Sequence, residues 1–234
     1  MEAGVYFSKL LIAMNKSLQI VTSLDGSHTI YSSEINDHYH SVYGAVQESE
    51  YIFIKNGFDI CPANPVHIFE VGFGTGLNAL LTAAKSLEGT REVFYTSVEK
   101  YPLDESIIRA LNHHQYAGPE GEKLSGLIHS AETGKMSVIS KYFKLMKIRS
   151  DLVNDYITGS FDLIYFDAFG PDKQPEIWSS RVFEKISAVV KPGGIFVTYS
   201  AKGDVKRNLR AVGFDVKIIS GPPGKRHIIR AYKI

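Results

Sequence analysis

The sequence predicts an α/β fold: a parallel sheet with helices on both faces, an antiparallel closing hairpin and a small β-rich N-terminal extension. Three observations predict it. From Pro65 onward, short apolar runs alternate with helix-length segments, the rhythm of βα units. Near the C-terminus, two apolar runs flank Gly221-Pro222-Pro223-Gly224, as two antiparallel strands around a turn would. Residues 1–65 lack the βα rhythm. The length of 234 residues, with 44% hydrophobic and 22% charged, suits one large α/β domain and excludes a disordered, collagenous or coiled-coil chain.

The elements follow in chain order. Residues 1–23 read as a tail and 24–65 as the extension, with short strands at 19–22 and 29–32. The main domain, 66–234, opens with an apolar strand at 66–71 and a helix at 77–87. A second strand and helix follow at 93–98 and 103–112. Residues 117–135 read as a loop or short helix, and 143–148 as a third strand. The fourth strand, 161–167, has the sequence FDLIYFD. A helix at 176–190 runs into a turn at Pro192-Gly193-Gly194, and a fifth strand spans 195–199. A helix at 204–212 ends at Gly213, and strands at 214–219 and 227–232 close the chain.

Composition narrows the functional classes. No window approaches the roughly 18 apolar residues of a membrane span. The apolar patch at 10–14 lacks a basic flank and a cleavage site, so no signal peptide is expected. Met14 is an alternative start. A single cysteine, Cys61, excludes an internal disulfide and a cysteine-based zinc cluster, and the cytoplasm is the default compartment. The spacing of His28, His38 and His40 suggests no metal site. The net charge of +1 conceals polarity along the chain. Residues 1–134 carry 8 Lys/Arg and 16 Asp/Glu, 135–199 carry 9 and 7, and 200–234 carry 9 and 2.

The most informative motif is Glu70-Val71-Gly72-Phe73-Gly74-Thr75-Gly76-Leu77-Asn78. A glycine turn between strand and helix lets backbone approach a ligand, and the helix start offers free N–H groups. A dinucleotide fingerprint would place its third glycine at 77, where Leu77 stands. An acidic residue followed by G-x-G-x-G is the pattern of S-adenosylmethionine methyltransferases. Glu70 suits the amino group of the cofactor's methionine moiety. Glu99, ending the second strand, suits the ribose hydroxyls, and Asp151, after the third, the adenine amino group. Asp167 ends the fourth strand beside Phe169, followed by Trp178. A carboxylate there can hold or deprotonate an amine, and an aromatic ring can pack on a base or a cation. Alternatively, Asp167 caps the loop and Phe169 and Trp178 belong to the core.

Three stretches, FEVGFGTGLN, YFDAFGPDKQPEIW and KPGGIFVTYSAKGDVKRNLRAVGF, together resemble the methyltransferase domain of the MnmC family, stand-alone versions included. Asp25-Gly26-Ser27-His28 and YHSVYGAVQESEYIFI (39–54) resemble that family's N-terminal extension, and Gly221 to Arg226 its closing basic turn. His227-Ile228 replaces the usual Glu-Met after that turn, and Ile177 replaces the usual Met before Trp178. The resemblance, from about residue 24 onward, implies a class I, Rossmann-like S-adenosylmethionine-dependent methyltransferase. It implies that the amine of 5-aminomethyl-(2-thio)uridine at the tRNA wobble position becomes 5-methylaminomethyl-(2-thio)uridine, without the family's FAD-dependent oxidase step. Asp167 is then the catalytic and cofactor-side acid, with Glu70, Gly72, Gly74, Gly76, Asn78, Glu99 and Asp151 around the cofactor. Phe169 and Trp178 would meet the base. Lys202, Lys206, Arg207, Arg210, Lys225, Arg226 and Arg230 would meet phosphates of the anticodon stem-loop. The competing reading is a small-molecule amine methyltransferase or a polyamine-type aminopropyl transferase. Oligomeric state is open.

Overall fold

The computed structural model describes residues 17–234. The apolar patch at 10–14 and the alternative start at Met14 lie outside the described residues. An eight-stranded sheet carries the molecule, in the order β10-β11-β9-β8-β4-β5-β7-β6. Its parallel centre consists of β4 (Val66–Val71), β5 (Val93–Glu99), β7 (Phe143–Arg149), β8 (Phe161–Phe166) and β9 (Val190–Thr198). β10 (Phe214–Ser220) and β11 (His227–Lys233) form the expected antiparallel hairpin, with β11 inserted between β10 and β9.

Adjacent residues of a strand point to opposite faces, so each central strand feeds two apolar layers. In β4, Ile68 joins Leu80, Tyr95, Phe143 and Tyr165 on one face. Phe69 joins Phe166, Phe183, Phe196 and Ile229 on the other. Among the helices that cover these faces are α2 (Leu77–Glu88) on the first and α5 (Ser180–Val189) and α6 (Gly203–Ala211) on the second.

The extension corrects the sequence reading. β1 (Leu18–Thr22), β2 (His28–Ser32) and β3 (Asp37–His38) form a separate antiparallel sheet. From there the chain turns helical: α1 (Ala45–Ser49) continues as a π-helix over Glu50–Phe58. The apolar run at 51–54 packs Ile52 and Phe53 onto the main core. The extension is therefore β-rich only in its first part.

Other differences have local causes. The helix expected at 103–112 shortens to α3 (Glu105–Arg109), which buries none of its residues. Asn112 is diverted: its side chain accepts from His28 N at 2.8 Å and donates to Gly26 O at 2.9 Å. The stretch at 117–135 holds α4 (Gly121–Ser130), and β6 (Met136–Ser140) pairs antiparallel with β7. The helix expected at 176–190 splits at extended Ser179 into a 3-10 turn, Pro175–Trp178, and α5. The turn expected at 192–194 is a bulge within β9, where the register against β8 jumps from Phe161↔Val190 to Leu163↔Ile195. No helix among the described residues is long and apolar enough to cross a membrane.

Candidate active site

β4 pairs with β5 on one side and β8 on the other, and the chain reaches β8 only after completing β5 and β7. The strand order thus reverses beside β4, and ligands of open α/β sheets collect at the carboxyl ends there. The glycine loop lies at that point. Gly72, Gly74 and Gly76 all have positive φ. A Cβ on Gly72 would stand 2.5 Å from the Asp167 carbonyl oxygen, so this position admits only glycine without rearrangement.

Beneath the loop lies a chain of polar side chains. Glu70 is fully buried, with Oε2 accepting from Ser97 Oγ at 2.6 Å. Its Oε1 accepts from Asn78 Nδ2 at 3.1 Å, and the same amide donates to Asp167 Oδ2 at 2.8 Å. Burial pushes the Glu70 carboxyl up to about 8, opposed by the Ser97 hydrogen bond. Burial pushes Asp167 up to about 7, opposed by the Asn78 hydrogen bond. Asp167 lines the cavity above, whereas Glu70 and Asn78 lie outside its lining. The structure thus places Glu70 behind the loop, where it anchors Asn78 and through it Asp167, rather than facing a cofactor's amino group.

The cavity, of about 500 Å³, has the size of a nucleoside-containing ligand site. Gly72, Gly74, Glu99, Asp151, Asp167 and Phe169 all line it. Glu99 accepts from Gly74 N at 3.0 Å and Tyr101 N at 2.9 Å, which fixes its carboxylate at the rim. Asp151 pairs with Lys100 Nζ at 2.9 Å. Its burial is outweighed by hydrogen bonds from Lys100, Asn154 and the Val153 amide, which hold its carboxyl below the usual range.

These residues fit S-adenosylmethionine. Loop glycines leave backbone open to a ligand, and carboxylates stand at the ends of β5 and β7 where hydroxyls and an amine need acceptors. Asn78 Oδ1 is a buried acceptor without a partner among the described residues.

The extension supplies a roof that the sequence reading missed. Tyr39 and His40 line the cavity. Tyr39 packs edge-on against Phe169 with ring centroids 4.9 Å apart. His40 Nε2 lies 2.6 Å from Thr75 Oγ1, and burial pushes its imidazole down to about 3. Glu48, Tyr199 and Lys225 complete one side. The signal for this roof was the segment 39–54, singled out by resemblance without roles for its residues.

Trp178 is a correction. Its ring is buried against Phe166 and Phe183, and Nε1 donates to Phe169 O at 2.7 Å. It is a core residue that secures the backbone of the Phe169 loop, outside the cavity lining. The basic residues also separate. Lys225 reaches the cavity, while Arg226 and Arg210 are exposed outside it. Lys206 is partly buried outside it. Lys202 is paired with Asp172 and Arg207 with Asp204. Arg230 is half-buried and donates to Asn56 Oδ1 at 3.3 Å. No group of three or more His, Cys, Asp or Glu among the described residues is placed to hold a metal.

Residues 135–234 match a family described as S-adenosyl-L-methionine-dependent methyltransferase. A protein of Actinobacillus pleuropneumoniae (serotype 5b, strain L20), named tRNA 5-methylaminomethyl-2-thiouridine biosynthesis bifunctional protein MnmC, is 29% identical over 88% of this chain and 34% of its own length. The protein of the same name from Nitrosospira multiformis is 30% identical over 86% of this chain and 35% of its own. The chain spans about a third of the length of these curated relatives. Among solved structures, MnmC2 from Aquifex aeolicus superposes with a TM-score of 0.76 at 25% identity, over 92% of this chain and 69% of that one. A spermidine synthase from Thermotoga maritima shares the fold, with a TM-score of 0.55 at 12% identity over 92% and 68%.

Proposed function

We propose, from the premise that fold and matched segment are those of an S-adenosyl-L-methionine-dependent methyltransferase, that this chain methylates an aliphatic amine on tRNA. The relatives' names point to tRNA and to the biosynthesis of 5-methylaminomethyl-2-thiouridine. We infer the wobble base as the target, with 5-aminomethyl-(2-thio)uridine as substrate and 5-methylaminomethyl-(2-thio)uridine as product. The observation that carries this reading is Asp167: a carboxyl raised to about 7, lining the cavity beside the glycine loop.

When bound, S-adenosylmethionine supplies an activated methyl group. The protein's residues do the rest. Gly72 and Gly74 would let backbone lie against the cofactor, Glu99 would accept from its ribose and Asp151 from its adenine. An alkylamine, judged by lysine at about 10.4, arrives largely protonated and must lose a proton before it can act as a nucleophile. Asp167, fixed through Oδ2 by Asn78, orients the amine and accepts that proton. Phe169, backed by Tyr39, offers an aromatic wall for a flat base. The tRNA anticodon stem-loop is the partner, and the cytoplasm its compartment.

Transfer of labelled methyl from S-adenosylmethionine to undermodified tRNA, with polyamines as control, tests this. Label in tRNA is expected. Label in polyamines alone would overturn the tRNA substrate and leave a small-amine transferase.

A further inference from the structure

We propose that Glu48 is the carboxylate that receives the substrate's aliphatic ammonium, and that Lys225 holds that place until RNA arrives. The inference rests on the aminomethyl-uridine reading above and deepens it. Glu48 stands on α1, is 7% exposed and lines the same cavity as Asp167. Its Oε2 is buried without a well-aligned hydrogen bond, and the Lys225 and Ser41 side chains stand against the carboxyl. The cation beside that oxygen is Lys225 Nζ, 3.4 Å away. Buried carboxylates are stable when a cation or donors reach them, so this oxygen calls for a closer partner than it has.

Lys225 shows what that partner resembles. Its Nζ is itself a primary alkylammonium, the same group as a protonated aminomethyl substituent. In this cavity it is held by the Glu48 carboxylate and, 4.5 Å from the ring centroid, by the face of Tyr199. Tyr199 is fixed in turn, its hydroxyl donating to Ala168 O at 2.8 Å. Carboxylate and aromatic face form a ready-made alkylammonium site. Lys225 lies on the turn between β10 and β11, and once the substrate amine takes its place its long stem would carry Nζ to an RNA phosphate. The two carboxylates divide the work: Glu48 selects the amine, and Asp167 takes its proton.

The test compares binding of two anticodon stem-loops, one with 5-aminomethyluridine and one with plain uridine at the wobble position, without cofactor. The native protein is expected to prefer the aminomethyl loop. Glu48→Gln should weaken that loop alone by about 10- to 100-fold, the factor of one charge-assisted hydrogen bond. Equal weakening of both loops, or no change, overturns the inference. Lys225→Met tests it with Glu48 kept in the chain: losing the competing cation should raise the preference for the aminomethyl loop, and a fall would overturn the inference. A native protein that methylates tRNA yet binds both loops equally also defeats it. Failure to methylate tRNA at all defeats the functional reading instead.

Discussion

Asn78 ties two carboxyls of raised affinity for protons, Glu70 and Asp167, into one hydrogen-bonded chain. Asp167 acts as a base only when ionised, so methyl transfer should rise as pH passes about 7 and level off above it. Asp167→Asn should lower single-turnover transfer by about 100- to 1,000-fold, within the range for a general base, and change cofactor affinity far less. Calorimetry beside the rate measurement separates the two, and equal losses in both would refute the catalytic role. Glu70 makes a different prediction. Burial raises its carboxyl from the ordinary 4.5 to about 8, so the fold favours the protonated form. That stability is fully present below about 4.5, is lost as pH rises from there to about 8, and changes no further above it. Glu70→Gln should therefore flatten the fall of Tm between about pH 5 and about pH 8, and a parallel fall in both proteins would refute the assignment. At this scale the cavity positions of Glu99 and Asp167 were legible because each stands where an apolar strand ends, whereas Glu70 lies one residue inside β4 and turns away from the cavity. Tyr39, His40 and Glu48 were not, because they enter the cavity from a part of the chain without βα rhythm.

The glycine loop is held closely from below by the backbone that follows β8. Gly72→Ala would combine positive φ with a collision against the Asp167 carbonyl. It should cost about 2 kcal/mol or more of unfolding free energy and displace Asp167. Denaturant titration measures the first effect and transfer activity the second. Unchanged stability would show that the loop relaxes freely. Most central strands were legible as short apolar runs between turns. β6 was not, because it is an edge strand whose Met136 and Val138 stay exposed. The split of the helix at 176–190 follows from Trp178, whose indole is pinned to Phe169 O ahead of α5. Nothing local in the sequence announces that bond across nine positions.

At the scale of the molecule, the basic C-terminal end is less uniformly available than its composition suggests. Lys202 and Arg207 already have carboxylate partners, and Arg230 is half-buried against Asn56. Arg210 and Arg226 are exposed. Replacing both by alanine should reduce the salt dependence of tRNA binding, the slope of log K against log salt, by about 0.7 per lost phosphate contact. The same pair of changes at Lys202 and Arg207 should do less. Titrations at several salt concentrations decide, and identical slopes for both double variants would refute this ranking.

The position of β11 has a consequence for how the molecule is made. A chain leaving the ribosome presents β9 before β11 exists, so the inner edge of the sheet stays open until residues 227–233 emerge. Ile228, Ile229 and Ala231, all fully buried, arrive together and close that edge. The same stroke brings Lys225 to Glu48 and lets the Tyr51 hydroxyl donate to Ser220 O at 3.0 Å, fastening the closing hairpin to a segment synthesised well before it. A nascent chain can therefore carry the glycine loop in place and still have no enclosed site. Competence arrives in one late event rather than growing with chain length.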